Sequence, residues 1–240
     1  MWLPSHLVAI PLSYLLVFLL AARSRALTAR ERVLLLRVLF ALMLFSEVIK
    51  QALGILGGSY SAGFLPFHYS STYYVSLGLY AFGNGRWRHY GQCSLLVGGV
   101  LLLITMTCCP FLVVGDCAHV FRSFAALHSL FYHVAALLGF AVMHANGEYA
   151  PRRHDTLRYL SFLFAWAALA LPVARATGIN YAGLLRSYIP LLEKLRLARG
   201  DLVYLITYAL LASGLAVLIL HAYAQLYRRV WAKGHGKQRT

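Results

Sequence analysis

Acidic residues are scarce in this chain: seven Asp and Glu stand against 22 Lys and Arg in 240 residues. Charge of either sign is also low, at 12% of residues, where a soluble domain carries about 25%. The four cysteines, Cys93, Cys108, Cys109 and Cys117, form no CxxC pair and have no histidines at zinc-finger distances, which argues against a structural zinc site. Two readings of them stand: Cys117 pairs with Cys108 or Cys109 on an oxidising side, or all are free thiols. There is no DNA-binding or RNA-binding motif, so the formal charge of +15 does not point to nucleic acid as a partner. The strand alternation of an outer-membrane barrel is missing, as are internal repeats and a GxSxG elbow. The apolar N-terminal stretch lacks the basic region that opens a signal peptide, so it is expected to be a retained spanning helix.

What the chain has in abundance is apolar surface. Hydrophobic residues make up 60% of it, more than a soluble core absorbs. Crossing an apolar layer of about 30 Å takes about 20 helical residues. Seven segments meet that need, at 4–22, 33–56, 65–82, 92–114, 119–144, 157–175 and 202–227. Backbone groups in lipid must be satisfied internally, so these are helices. The expected fold is all-α: one polytopic bundle of seven transmembrane helices over residues 1–228, followed by a basic tail at 229–240.

The bases fix an orientation. Arg23, Arg25, Arg30 and Arg32 lie in the first loop, Arg86 and Arg88 in the third, and Arg152, Arg153 and Arg158 in the fifth; Arg228, Arg229, Lys233, Lys237 and Arg239 close the chain. With seven alternating helices these 14 bases share one side, which by the positive-inside rule is the cytoplasm. The N-terminus is then outside and the C-terminus cytoplasmic. The expected location is the plasma or inner membrane of a bacterium, or the endoplasmic reticulum of a eukaryote. The sixth loop, 176–201, is the exception, with Arg186, Lys194, Arg196 and Arg199. Its pattern predicts one or two short amphipathic helices on the outer leaflet, or a re-entrant segment.

Ionisable groups inside a membrane are costly and mark functional sites by default. Glu47 and Lys50, in SEVIKQ of the second span, are three apart and share a face. His68 opens the third span in FLPFHYSSTYY, followed by Ser70 and Ser71; His128 and His133 lie in the fifth, and His221 in the seventh. Topology puts Glu47, Lys50, His68, Ser70 and His128 at one depth in the outer half, with Asn180 and Tyr181 following the sixth span on that side. Each also has a structural reading: an ion pair for Glu47 with Lys50, a helix-start contact for His68, a satisfied core imidazole for His128. His133 and His221 read as structural. Chemically, an imidazole can activate a serine hydroxyl, a carboxylate can orient the imidazole, and Lys50 or Asn180 can hold an oxyanion or a lipid phosphate. Acyl transfer on a lipid is one chemistry these groups permit.

At these residues the chain resembles the YwaF and transmembrane protein 164 group of seven-helix membrane proteins. The resemblance rests on Glu47 and Lys50, on the LPxH run of Leu65, Pro66 and His68, on His128, and on Asn180–Tyr181, in that order over residues 30–228. It implies an acyltransferase that moves fatty acyl chains between phospholipids and lysophospholipids through a covalent acyl-enzyme, with no cofactor. His68, Ser70, His128, Glu47 and Lys50 are the implied catalytic set; Asn180, Tyr181 and Ser71 are the implied substrate contacts. The chain departs from the group at the nucleophile: Phe67 and Ser70 stand where members carry cysteine, so Ser70 or Ser71 takes that role or the activity is lost. Three other readings stand beside it. Buried charge also suits a lipid or small-molecule transporter. Paired His68 and His128 suit a haem cytochrome. A zinc hydrolase wants His pairs at helical spacing, which HSLFYH does not have.

Overall fold

The computed structural model describes residues 3–120 and 122–230; the rest of the basic tail, with Lys233, Lys237 and Arg239, lies outside the described residues. Among the described residues there are nine α-helices: α1 (His6–Ser24), α2 (Ala29–Leu56), α3 (Thr72–Phe82), α4 (Gly85–Cys108), α5 (Pro110–Val114), α6 (Phe124–Ala145), α7 (Asp155–Thr177), α8 (Pro190–Arg199) and α9 (Asp201–Val230). Five of these, α1, α4, α6, α7 and α9, are long and apolar enough to cross a membrane. Their large apolar side chains point outward: Phe18 is 68% exposed and Leu210 is 68% exposed. Exposed apolar surface on that scale is unstable in water and natural in lipid.

Helix boundaries follow local chemistry. α2 starts earlier than the apolar pattern predicts because Thr28 and Glu31 form a capping box: the Thr28 hydroxyl accepts from the Glu31 N–H at 3.3 Å, and the Glu31 carboxylate accepts from the Thr28 N–H at 2.7 Å. The third predicted span is only half helical. Leu65 and His68 have extended backbones, Tyr69–Ser71 form one 3₁₀ turn, and α3 begins at Thr72. Pro66 explains the delay, since it lacks an N–H and pushes the preceding residue to extended geometry. At 11 residues α3 is about 16 Å long. Pro110 likewise ends α4 at Cys108 and restarts the chain as α5, dividing the predicted span 92–114. α7 stops at Gly178, whose left-handed conformation (φ 71°) suits the C-cap. The sixth loop contains one short amphipathic helix, α8.

Within the single domain expected for residues 1–228, the structure divides into two compact units: 1–60 with 73–150, and 61–72 with 151–240. In the first, α6 is the hub and packs against α1, α2, α4 and α5. Small residues let helices approach closely: a β-carbon on Gly91 of α4 would lie 2.5 Å from the Ser76 carbonyl oxygen of α3, and one on Gly99 would enter the Phe140 ring. Glu148, after α6, gathers the ends of α2, α3 and α4. Its carboxylate accepts from Arg32 Nε at 2.6 Å, Arg88 Nη2 at 2.9 Å and the Tyr80 hydroxyl at 2.6 Å. In the second unit α9 packs against α7 and α8. All four cysteines are free thiols, so the disulfide reading of Cys117 is not met.

Candidate active site

Leu36, Leu39, Met43, Glu47 and Gly54 are buried along α2, at the three-and-four spacing of one helix face. That face meets α6, and Glu47 is the one carboxylate on it. Lys50 and Gln51, one turn further, fall on the same side. The Glu47 carboxylate takes Lys50 Nζ at 2.8 Å, Gln51 Nε2 at 2.6 Å, the Tyr74 hydroxyl of α3 at 3.1 Å and His128 Nε2 of α6 at 3.0 Å. Glu47 is 8% exposed and His128 7%. Such burial is tolerated because donors on three helices replace water around the carboxylate.

These contacts assign the histidine tautomer. A carboxylate paired with an ammonium has no proton to give, so His128 Nε2 must carry one and donate it. In the neutral ring Nδ1 then holds a lone pair. Ser46 Oγ, half-buried, lies 3.1 Å from Nδ1 and 2.8 Å from the Met43 carbonyl; its one proton goes to either acceptor, and rotation from Met43 to Nδ1 makes the serine–imidazole hydrogen bond. Serine, imidazole and carboxylate thus stand in series, with Ser46 and Glu47 adjacent on α2 and His128 between them. Tyr132, one turn beyond His128, stacks on its ring (centroids 5.7 Å) and lies tilted against Tyr74 (4.8 Å). Both His128 nitrogens are engaged, so a haem iron would have to displace Glu47 or Ser46.

His68, Ser70, Ser71, Asn180 and Tyr181 belong to the second unit. His68 has its ring edge-on to Tyr181 at 5.1 Å and Nε2 3.4 Å from the Gly63 carbonyl. Tyr181 is fully buried and donates to the Ala62 carbonyl. Asn180 is absorbed by its own loop: Oδ1 accepts from the Leu185 N–H at 2.9 Å and the Arg186 N–H at 3.1 Å, and Nδ2 donates to the Arg186 carbonyl at 2.9 Å. Ser71 is buried and Ser70 half-buried in the 3₁₀ turn. His133 bonds the Ser129 carbonyl on its own helix at 2.7 Å, and His221 faces Gln225 at 3.3 Å. Among the described residues, no group of three or more His, Cys, Asp or Glu is arranged to hold a metal ion.

Glu47, Lys50 and His128, expected from the sequence to share a site, meet here; Ser46, Gln51, Tyr74 and Tyr132 join them without having been expected. Ser46 and Gln51 were legible, one residue before Glu47 and four after it. Tyr74 and Tyr132 carry no mark among 16 tyrosines.

Five apolar helices long enough to cross a membrane, with a buried carboxylate–imidazole pair between α2 and α6, define a multi-pass helical membrane protein with a polar cluster in its core. The TMEM164 family model matches residues 1–227, and the chain belongs to that family. No curated protein and no solved structure matches it.

Proposed function

We propose that this protein is an integral-membrane acyltransferase that moves fatty acyl chains from phospholipid to lysophospholipid through a covalent acyl-enzyme. The observation that carries the reading is the Glu47–His128 contact. Glu47 holds the Nε2 proton and stabilises the imidazolium that forms in the reaction, leaving Nδ1 as the base. Lys50 and Gln51 keep the carboxylate in place. The acyl group is held on a serine hydroxyl; the resemblance implies Ser70, with His68 in the catalytic set and Ser71, Asn180 and Tyr181 as lipid contacts. The proposed topology has seven crossings, with α2 and the segment from Leu65 through α3 added to the five apolar helices. The N-terminus is outside and the C-terminus in the cytoplasm.

The test is incubation of full-length protein in liposomes with acyl-labelled phosphatidylcholine and unlabelled lysophosphatidylethanolamine. The expected product is labelled phosphatidylethanolamine, lost with Glu47→Gln. Absence of transfer with wild type across headgroups and chain lengths, alongside transport of intact lipid, would favour a transporter.

A further inference from the structure

We infer that Ser46, rather than Ser70, is the hydroxyl that carries the acyl group; the inference rests on the acyl-transfer reading and names its nucleophile. Ser46 Oγ lies within hydrogen-bond reach of an imidazole whose other nitrogen is held by a buried carboxylate. The order of contacts is that of a serine–histidine–acid triad, recognised by geometry and role rather than chain order. Here the serine meets Nδ1 and the acid meets Nε2. The two ring nitrogens exchange places without changing the chemistry, because whichever one faces the carboxylate carries the resting proton.

The surroundings of Ser46 fit a lipid ester. The hydroxyl is half-buried, while Glu47 and His128 behind it are buried. Leu42, one turn back on the same side of α2, is 49% exposed, and the adjoining Phe45 is 63% exposed. An acyl chain lying along that apolar surface brings its carbonyl to Ser46 from the lipid side. Lys50, one turn forward and ion-paired with Glu47 at 2.8 Å, keeps a positive charge on the same stretch of α2.

The chemistry balances without a cofactor. Ser46 Oγ bonds to the carbonyl carbon of the donor ester as its proton passes to His128 Nδ1 and the carbonyl electron pair moves onto oxygen. Collapse breaks the bond from that carbon to the glycerol oxygen, which takes the proton from Nδ1 and leaves as lysophospholipid. The acceptor hydroxyl then attacks the Ser46 ester, giving its proton to Nδ1. Release of the Ser46 oxygen, which recovers that proton, completes the transfer.

The experiment uses full-length protein in liposomes of phosphatidylcholine bearing an alkyne-tagged acyl chain, quenched in acid, digested and mapped by mass spectrometry. Wild type, Ser46→Ala, Ser46→Cys and Ser70→Ala are compared. The tag is expected on the peptide containing Ser46, absent in Ser46→Ala, and labile to hydroxylamine as a thioester in Ser46→Cys. Transfer is expected to fall about 10³-fold or more in Ser46→Ala. If Ser46→Ala does not fold, wild-type mapping and the thioester of Ser46→Cys still decide the matter. A tag on the Ser70–Ser71 peptide, or wild-type transfer by folded Ser46→Ala, overturns the assignment and leaves the acyl-transfer reading standing. A wild type that moves no acyl chain overturns both.

Discussion

Glu47 and His128 meet across the α2–α6 interface with 3.0 Å between carboxylate oxygen and Nε2, 81 positions apart in the chain. The contact sets the imidazole tautomer and turns Nδ1 toward Ser46. It also joins two parts of the first unit: one helix carries carboxylate, ammonium and hydroxyl within a turn and a half, and the other carries the base.

The carboxylate and the ammonium should not be equivalent in stability. Glu47→Gln leaves the Lys50 ammonium without its carboxylate in an apolar setting and is expected to cost about 3–5 kcal/mol. Lys50→Met leaves Glu47 with the Gln51, Tyr74 and His128 donors and should cost less. The double variant should regain part of what Glu47→Gln loses. Unfolding of the three variants in detergent checks the order; an equal loss for both single variants contradicts it.

Glu148 is the other carboxylate whose loss should be felt. It accepts from Arg32, Arg88 and Tyr80 at once, tying the end of α6 to three helices. Glu148→Gln is expected to destabilise by about 1–3 kcal/mol. A double-mutant cycle with Arg32→Met should return a favourable coupling; additive losses would show that the contact contributes nothing.

Close packing of α3 on α4 predicts that Gly91 accepts no side chain. A β-carbon there meets backbone atoms of Ser76 and Tyr80, which cannot step aside as a side chain can. Gly91→Val should cost about 1–3 kcal/mol or more. Gly214, with nothing within 4 Å of its added β-carbon, should accept alanine with no such loss. Melting temperatures of the two variants make the comparison.

Acid should loosen the loop after α5. The Ala118 N–H, the Ser5 hydroxyl and nearby histidines hold the Asp116 carboxyl below its ordinary range. A carboxyl depressed by folding adds stability above its unfolded value, about 3.9, and loses it as pH falls through the lower folded value. The advantage of wild type over Asp116→Asn should therefore be full near neutrality and shrink below about pH 4. A pH series of melting temperatures reads it; a gap that widens in acid reverses the sign.

Much of this architecture was legible in the chain because apolar length is a strong signal. The segments predicted at 4–22, 157–175 and 202–227 correspond to α1, α7 and α9, with ends shifted by a few residues. The misjudged boundaries are places where local chemistry overrides apolar pattern. Thr28 and Glu31 extend α2 into a charged stretch, Pro66 unwinds the start of the third segment, Pro110 divides the fourth, and Asp116 caps a 3₁₀ turn at Cys117–His119 that delays α6 to Phe124.

The site was half legible for a related reason. A charged residue in an apolar helix is conspicuous, so Glu47, Lys50 and His128 announced themselves. Ser46 did not, because serine in a membrane helix usually bonds its own backbone, as this one also does to Met43. Its second contact, to His128, depends on the pairing of α2 with α6, which no local pattern encodes. Asn180 misled in the opposite direction: a polar side chain beside a span looks available, yet its amide is spent on the backbone of Leu185 and Arg186.

In the proposed reaction the Glu47–His128 pair is the base of an acyl transfer within the membrane. The most direct measurement is the rate at which full-length protein in liposomes moves a labelled acyl chain from phospholipid to lysophospholipid, for wild type and for folded His128→Ala. Wild type should show measurable transfer, and the variant a loss of about 10²–10⁴-fold. Undiminished transfer by folded His128→Ala, or none by wild type in any lipid mixture, contradicts it.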